Sequence, residues 1–297
     1  MPAPNHSAEK VFQIDRSQAF SLDHTLSCGQ VFRWERSADW WYGVVGSTPL
    51  RVRQDGRKIR FSGADREFVE WYFSLDLNLR DVISTISLDP VVKDAVRRCR
   101  GLRIVRQQPW ECLASYIGAT YSNIPMVRRR VELLSAEFGE AQEFEGKKVY
   151  GFPPPEKIAE ASIEALTCCK MGYRAPYLKK TAIKVMDDPA WEDRIRSLPY
   201  CEARKELQEF DGIGKKAADC ILLFAFQKYE SFPVDVWIHR IMQKNYGQGS
   251  PGALTDRGYE QIGTFAREYF GKYAGYAQEY LYCNRQIATA STLACGR

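Results

Sequence analysis

Long apolar runs are missing from this chain. None approaches the roughly 20 residues of a membrane-spanning helix, so no such helix is expected. The opening Met1-Pro-Ala-Pro-Asn-His-Ser-Ala-Glu-Lys10 has no apolar core, and a secretory signal is not expected either. The nine cysteines include no Cys-x2-Cys pair, which argues against a zinc site or an iron–sulfur loop. Their count is odd and only Cys168 and Cys169 are adjacent, so the thiols read as reduced. That fits a cytoplasm, a nucleoid or a nucleus. Repeats and low-complexity tracts are absent from the sequence. A large charge excess is absent too: a net +5 permits a polyanionic partner without requiring one.

What is present is the composition of a globular protein, 45% apolar and 13% aromatic over 297 residues, enough for one large or two ordinary domains. From about residue 11 to 63 the chain reads as short strands, among them Gln30–Trp34, Trp41–Val45, Leu50–Arg53 and Lys58–Phe61. Asp55-Gly56 supplies a hairpin turn. Alternating apolar and basic residues predict an antiparallel sheet with Arg51, Arg53, Arg57 and Arg60 on a solvated face. Helical patterns follow near 65–73 and 90–99. After Pro109 the chain is mostly helical: Trp110–Ala119, Ile124–Phe138, Pro155–Ala165, Tyr177–Val185, Cys201–Phe210, Lys215–Phe226, Val236–Tyr246, 255–270 and Tyr276–Ile287. The expected fold is α+β: an antiparallel α+β domain over 1–105, then an all-α domain over 106–297.

The most informative stretch is Leu207-Gln-Glu-Phe-Asp-Gly-Ile-Gly-Lys-Lys-Ala-Ala-Asp-Cys220. It ends one helix, turns through Gly212 and Gly214, and starts another at Lys215 and Lys216. The glycines allow positive φ and close approach. The opening amides of the second helix form an anion site that suits a DNA phosphate. A lysine in that first turn is out of place electrostatically, and the positive end of the dipole favours the neutral amine that a nucleophile requires. Nineteen residues beyond Lys216, Asp235 precedes an amphipathic segment. It reads as a helix cap, as a carboxylate facing positive charge on a sugar, or as both. Lys216 and Cys220, and likewise Gln278 and Tyr282, are four residues apart and share a helix face.

The Gly-x-Gly-x-Lys turn with Asp235 downstream resembles the helix-hairpin-helix DNA glycosylases with the Gly/Pro-Asp signature. The resemblance narrows with Cys28-Gly-Gln-Val-Phe-Arg-Trp34, Glu111-Cys-Leu-Ala-Ser-Tyr-Ile117, Gly172-Tyr-Arg-Ala-Pro-Tyr177 and Tyr273-Ala-Gly-Tyr-Ala-Gln-Glu-Tyr-Leu-Tyr282. These motifs, in this order, are similar to those of the 8-oxoguanine DNA glycosylase family from about residue 12 to 288. Several helix-hairpin-helix glycosylases end in a four-cysteine cluster; here only Cys283 and Cys295 follow the Tyr273–Tyr282 motif, so that branch is not expected.

The resemblance implies a bifunctional glycosylase and apurinic-site lyase acting on double-stranded DNA that contains 8-oxoguanine. It would work as a monomer without an organic cofactor. Lys216 would be the nucleophile, against the plain alternative of a surface lysine near phosphate, with Asp235 assisting. Cys220 and Tyr282 would sandwich the extruded base while Gln278 bonds its edge, although both sandwiching residues read equally as core. The Gly29 carbonyl would accept N7–H of the oxidised base, a hydrogen that normal guanine lacks; its plain alternative is a turn glycine. Tyr173 and Arg174 would wedge the duplex, or else simply pack a turn. Gly212, Gly214 and Lys215 would meet phosphate, and backbone carbonyls of Gln208, Phe210 and Ile213 can hold a monovalent cation. The chain departs from its eukaryotic relatives at Tyr121 (asparagine there), Met126 (arginine) and Trp237 (often histidine). A thioether cannot make charge-assisted bonds to a base edge, so a relaxed preference for the opposite base is expected.

Overall fold

The computed structural model describes residues 8–295, with the side chains of the last helix described to Ile287. Strands β1 (Lys10–Gln13), β2 (Trp34–Ser37), β3 (Trp40–Val45), β4 (Thr48–Asp55) and β5 (Lys58–Ser62) form one antiparallel sheet in the order β1-β5-β4-β3-β2. In β4 the inward Leu50 and Val52 alternate with Arg51 and Arg53, which gives the sheet its single buried face. The Asp55-Gly56 turn joins β4 to β5, with Gly56 at φ +58°.

One sheet expectation needs correction, and the wet basic face, present as expected, gains detail. Gln30–Arg33 is irregular rather than a strand. The buried Gln30 side chain donates to the Thr25 and Arg103 carbonyls, both at 2.8 Å, and accepts from Val105 N–H at 2.9 Å. A side chain thus satisfies backbone groups that a ladder would otherwise pair. The basic face is not a set of bare solvated cations. Arg51 pairs with Glu145 (3.1 Å), Arg53 with Asp55 (2.9 Å) and Arg60 with Glu9 (2.9 Å), while Arg57 donates to the Ile14 carbonyl.

Helices α1 (Leu22–Ser27), α2 (Arg66–Tyr72), α3 (Leu79–Ile86) and α4 (Pro90–Arg98) accompany the sheet in sequence. There follow α5 (Pro109–Ala119), α6 (Ile124–Phe138), a β6 (Ala141–Phe144) and β7 (Lys147–Tyr150) hairpin, α7 (Pro155–Glu160), α8 (Ile163–Cys168) and α9 (Ala175–Asp187). The chain continues through α10 (Trp191–Ser197), α11 (Tyr200–Leu207), α12 (Lys215–Ala225), α13 (Val236–Tyr246), α14 (Asp256–Phe270) and α15 (Ala274–Cys295). The helix expected over Pro155–Ala165 is two helices: Ala161 is extended, and Ser162 caps α8 by accepting from Ala165 N–H at 3.1 Å. Among the described residues no helix is long and apolar enough to cross a membrane, and no group of three or more His, Cys, Asp or Glu is placed to hold a metal ion.

The interior forms two clusters. One gathers Phe12, Leu50, Val52, Phe61 and Phe73 under the sheet; the other is helical. Helices α3 and α4 precede the expected division at residues 105 and 106, yet their Leu79, Val82, Ile86 and Val92 pack into the helical cluster. Arg103 ties segments together from the interior. Fully buried, it donates to the carbonyls of Ala19 (3.1 Å), Leu77 (2.9 Å) and Ser74 and to Gln18 Oε1 (2.7 Å). Helix α5 is buried along most of its length and packs against α12, so it forms a floor beneath the hairpin.

Candidate functional site

The hairpin between α11 and α12 has the backbone its glycines require. Gly212 sits at φ +83°, where a Cβ would meet the Tyr177 ring at 3.0 Å, and its carbonyl accepts from the Thr120 hydroxyl at 3.1 Å. Gly214 caps α12 without a side chain, so the first amides of that helix stay open to a ligand. Asp235 caps α13, with Oδ1 accepting from Trp237 N–H at 2.9 Å and Ile238 N–H at 2.7 Å.

These two helix starts meet at one cavity of about 110 Å³. Lys216, Asp235, Gly29, Cys220, Gln278 and Tyr282 all line it, although the sequence separates them by up to 253 positions. The Lys216 ammonium lies 5.9 Å from the centre of the Tyr116 ring. Burial pushes the Cys220 thiol up to about 11, against the opposing charge of Lys216 and a hydrogen bond with Tyr116, so it forms a neutral, polarisable wall. Gln278 Oε1 is buried with no hydrogen-bond partner among the described residues, an acceptor open to a ligand edge.

Gly29 has φ +98°, and a Cβ there would approach Ile124 Cδ1 at 2.9 Å and Tyr282 Cε1 at 3.7 Å. Gly29→Ala is therefore expected to reorient this carbonyl and narrow the cavity together. The excision that the resemblance implies should fall at least about tenfold under single turnover, while the fold loses only about 1 kcal/mol by thermal melting. Unchanged excision would remove Gly29 from the recognition set.

A second cleft, continuous with the first through Tyr116, Ala119, Ser122 and Lys216, carries Tyr121, Gly212, Gly214 and Lys215. Tyr121 is 95% exposed at a left-handed φ of +47°, a conformation a tyrosine holds only when its surroundings impose it. Two buried arginines do so. Arg130 donates to Gly118 O and Ser122 Oγ, each at 2.7 Å, and to Lys170 O at 2.8 Å. Arg174 donates to Thr120 O through Nε at 2.9 Å and again through Nη2.

Some expected contacts lie elsewhere. Arg174 is only 6% exposed and holds the Tyr121 turn from behind, whereas its neighbour Tyr173 remains half exposed. Lys215 is engaged by Glu260 at 3.0 Å, so its charge is partly answered within the chain. Met126 is at the surface in the first turn of α6, where its N–H donates to Asn123 Oδ1 at 3.0 Å. Trp237 is stacked by the guanidinium groups of Arg285 at 3.7 Å and Arg240 at 4.7 Å, an aromatic platform flanked by positive charge. Phe210, one of the three residues expected to offer carbonyls to a cation, already accepts from Ile213 N–H at 3.1 Å.

Sequence reasoning missed several cavity residues: Cys28, Phe32, Tyr116, Ile124 and Glu279. Glu279 carried the best signal, as an acidic residue beside Gln278 inside an otherwise apolar and aromatic run. It also missed Asp219, one turn along α12 from Lys216. Buried, Asp219 accepts from the hydroxyls of Tyr200 (2.6 Å), Tyr259 (2.5 Å) and Ser231 (3.1 Å), with Arg204 at 4.0 Å.

A sheet domain packed on a helical body, with an open-ended hairpin presenting a lysine to a cavity that a helix-capping aspartate shares, defines a helix-hairpin-helix DNA glycosylase. Family comparison agrees with this class. The family described as HhH-GPD superfamily base excision DNA repair protein matches residues 128–253, and that described as 8-oxoguanine DNA glycosylase, N-terminal domain, matches residues 11–113. A probable N-glycosylase/DNA lyase of Methanothermobacter thermautotrophicus is 34% identical over 238 residues, 73% of each chain. The N-glycosylase/DNA lyase of Saccharomyces cerevisiae is 30% identical, over 78% of this chain and 70% of its own. The Clostridium acetobutylicum 8-oxoguanine glycosylase/lyase, solved with double-stranded DNA containing cytosine opposite 8-oxoG, superposes with a TM-score of 0.85 at 30% identity, covering 96% of this chain and 99% of its own. The chain belongs to the 8-oxoguanine DNA glycosylase family.

Proposed function

We propose that this protein is a bifunctional DNA glycosylase and apurinic-site lyase that excises 8-oxoguanine from duplex DNA in base excision repair. The observation that carries the reading is that Lys216 and Asp235 line the same cavity as Gly29, Cys220, Gln278 and Tyr282. The names of its relatives, N-glycosylase/DNA lyase and 8-oxoguanine glycosylase/lyase, support it. Chemistry on a base requires extruding it from the stack and holding its faces and edge. Cys220 and Tyr282 take the faces, Gln278 takes the Watson–Crick edge, and the Gly29 carbonyl accepts N7–H. Guanine presents a lone pair there, so two acceptors would oppose each other at a cost of about 1–3 kcal/mol.

The amine of Lys216 attacks C1′, the base leaves, and the resulting Schiff base permits β-elimination of the strand. Asp235, with its carboxylate fixed by the cap, offsets positive charge developing at the sugar. The duplex is met by Tyr121 and Tyr173 as wedges and by the open amides after Gly212 and Gly214, with Lys215 and Trp237 beside the backbone. Carbonyls of Gln208, Phe210 and Ile213 can hold a monovalent cation that would draw this loop toward a phosphate. The enzyme is proposed to work as a monomer.

An alkylated-purine glycosylase on the same scaffold acts through water and has no use for a cavity-lining lysine. A damage-binding module forms no covalent bond. Incubating the purified chain with duplexes bearing one 8-oxoguanine opposite each of the four bases, with and without borohydride, decides among them. The expected result is strand cleavage and a trapped adduct; an intact, unlinked duplex overturns the reading. Met126 lacks the charged bidentate contact that gives about 1–3 kcal/mol of base discrimination. Cleavage rates opposite the four bases should accordingly agree within roughly tenfold. Strong cleavage opposite cytosine with almost none opposite adenine would reject that relaxed preference alone.

A further inference from the structure

We propose that Glu279 is a proton-transfer group of this cavity, acting between the amine of Lys216 and the departing base. The inference rests on the functional reading above. Along α15, Glu279, Tyr282 and Gln286 recur at spacings of three and four and turn one face toward the Cys28–Gly29 segment, where Gln286 Nε2 donates to Cys28 O at 3.3 Å. Glu279 is 4% exposed and lines the cavity beside Lys216, Asp235 and Gln278, yet its Oε2 has no hydrogen-bond partner among the described residues. Packing alone gives no reason for a carboxyl here, because a buried oxygen that bonds nothing is a cost.

The groups facing it are Cys28 after α1, Tyr116 on α5, Lys216 and Cys220 on α12, Asp235 at the cap of α13 and Tyr282 on its own helix. Burial, with the negative charge of Asp235, pushes the Glu279 carboxyl up to about 8, against a hydrogen bond from Cys28 and the charge of Lys216. A group that titrates near the working pH is suited to giving and taking a proton.

Lys216 Nζ forms a bond to C1′ as the C1′–N9 bond breaks. The bonding pair leaves with the base, and the Glu279 proton passes to the base, leaving a carboxylate. The new secondary ammonium then returns one proton to Glu279, which regenerates the acid and frees the nitrogen lone pair for Schiff-base formation.

Because the acid form is needed, single-turnover excision by the wild type should decline as pH rises through about 8. Glu279→Gln keeps the shape and a hydrogen-bonding head but transfers no proton. It should excise about 10²-fold more slowly, lose that alkaline limb, and bind lesion duplex with unchanged affinity. Glu279→Ala, checked by thermal melting, should regain activity with added formate. Wild-type rate and pH profile in Glu279→Gln would overturn the inference, as would a slow variant that keeps the limb and ignores formate. A wild-type chain that excises nothing overturns the functional reading and this one with it, whereas wild-type excision alongside an unaltered Glu279→Gln overturns this one alone.

Discussion

Lys216→Gln is expected to leave 8-oxoguanine duplex uncleaved and to give no borohydride adduct, a loss of at least about 10³-fold in excision. It should do so without unfolding the chain. Lys216 is exposed, and its contact with the Tyr116 ring is a long 5.9 Å. Replacing it should therefore shift stability by no more than about 0.5 kcal/mol. Binding to the lesion duplex should survive, because the proposed base and phosphate contacts come from other residues. The comparison that matters is Lys215→Gln. Two lysines stand side by side in the sequence, but Lys215 is turned to Glu260 at 3.0 Å while Lys216 lines the base cavity. Lys215→Gln should keep the adduct and weaken duplex binding modestly. An adduct that persists in Lys216→Gln and vanishes in Lys215→Gln would reassign the nucleophile.

The second large effect lies behind the site. Asp219→Ala is expected to destabilise the protein by about 3–5 kcal/mol, since it removes one partner of a buried ion pair and leaves its neighbours unmatched. Tyr200 and Tyr259 each lose the acceptor of their hydroxyl, Ser231 keeps only the Asp219 main-chain carbonyl at 2.8 Å, and Arg204 loses its interior counter-charge. At this chain length the melting temperature should fall by roughly 10 °C. The consequence reaches function because Asp219 fastens α12 to α11 and α14 one turn from Lys216. Excision should weaken even at temperatures where Asp219→Ala remains folded. Asp219→Asn, which keeps one carbonyl acceptor, should lose less of both. A melting point within a degree or two of wild type in Asp219→Ala would show that the hairpin is held by apolar packing instead.

Much of this is legible in the sequence alone. Gly212 and Gly214 announced a tight turn, and Asp235 announced a cap, because positive φ and helix capping are local demands that few residues satisfy. The alternation in β4 and most of the helical patterns after Pro109 match the structure because periodicity is local too, whereas Pro155–Ala165 divides at Ala161. Elements with weak periodicity are not anticipated: α1, which lies within the stretch read as strands, α3, the β6–β7 hairpin and α10. Gln30–Arg33 was read as a strand because its apolar alternation mimics one, while the buried Gln30 amide makes cross-chain bonds that no local pattern reveals.

By itself, then, the sequence determined the local chemistry: a lysine at the start of a helix, a capping carboxylate, and glycines where the backbone must bend. Those outcomes depend on residues within a few positions of one another. Only the tertiary structure decided that Lys215 turns to Glu260, that Arg174 and Arg130 hold the Tyr121 turn from within, and that Glu279 is shut in beside Lys216 with an oxygen left over. Burial and electrostatic neighbourhood are set by segments far apart in the chain, and they come into existence only when those segments pack.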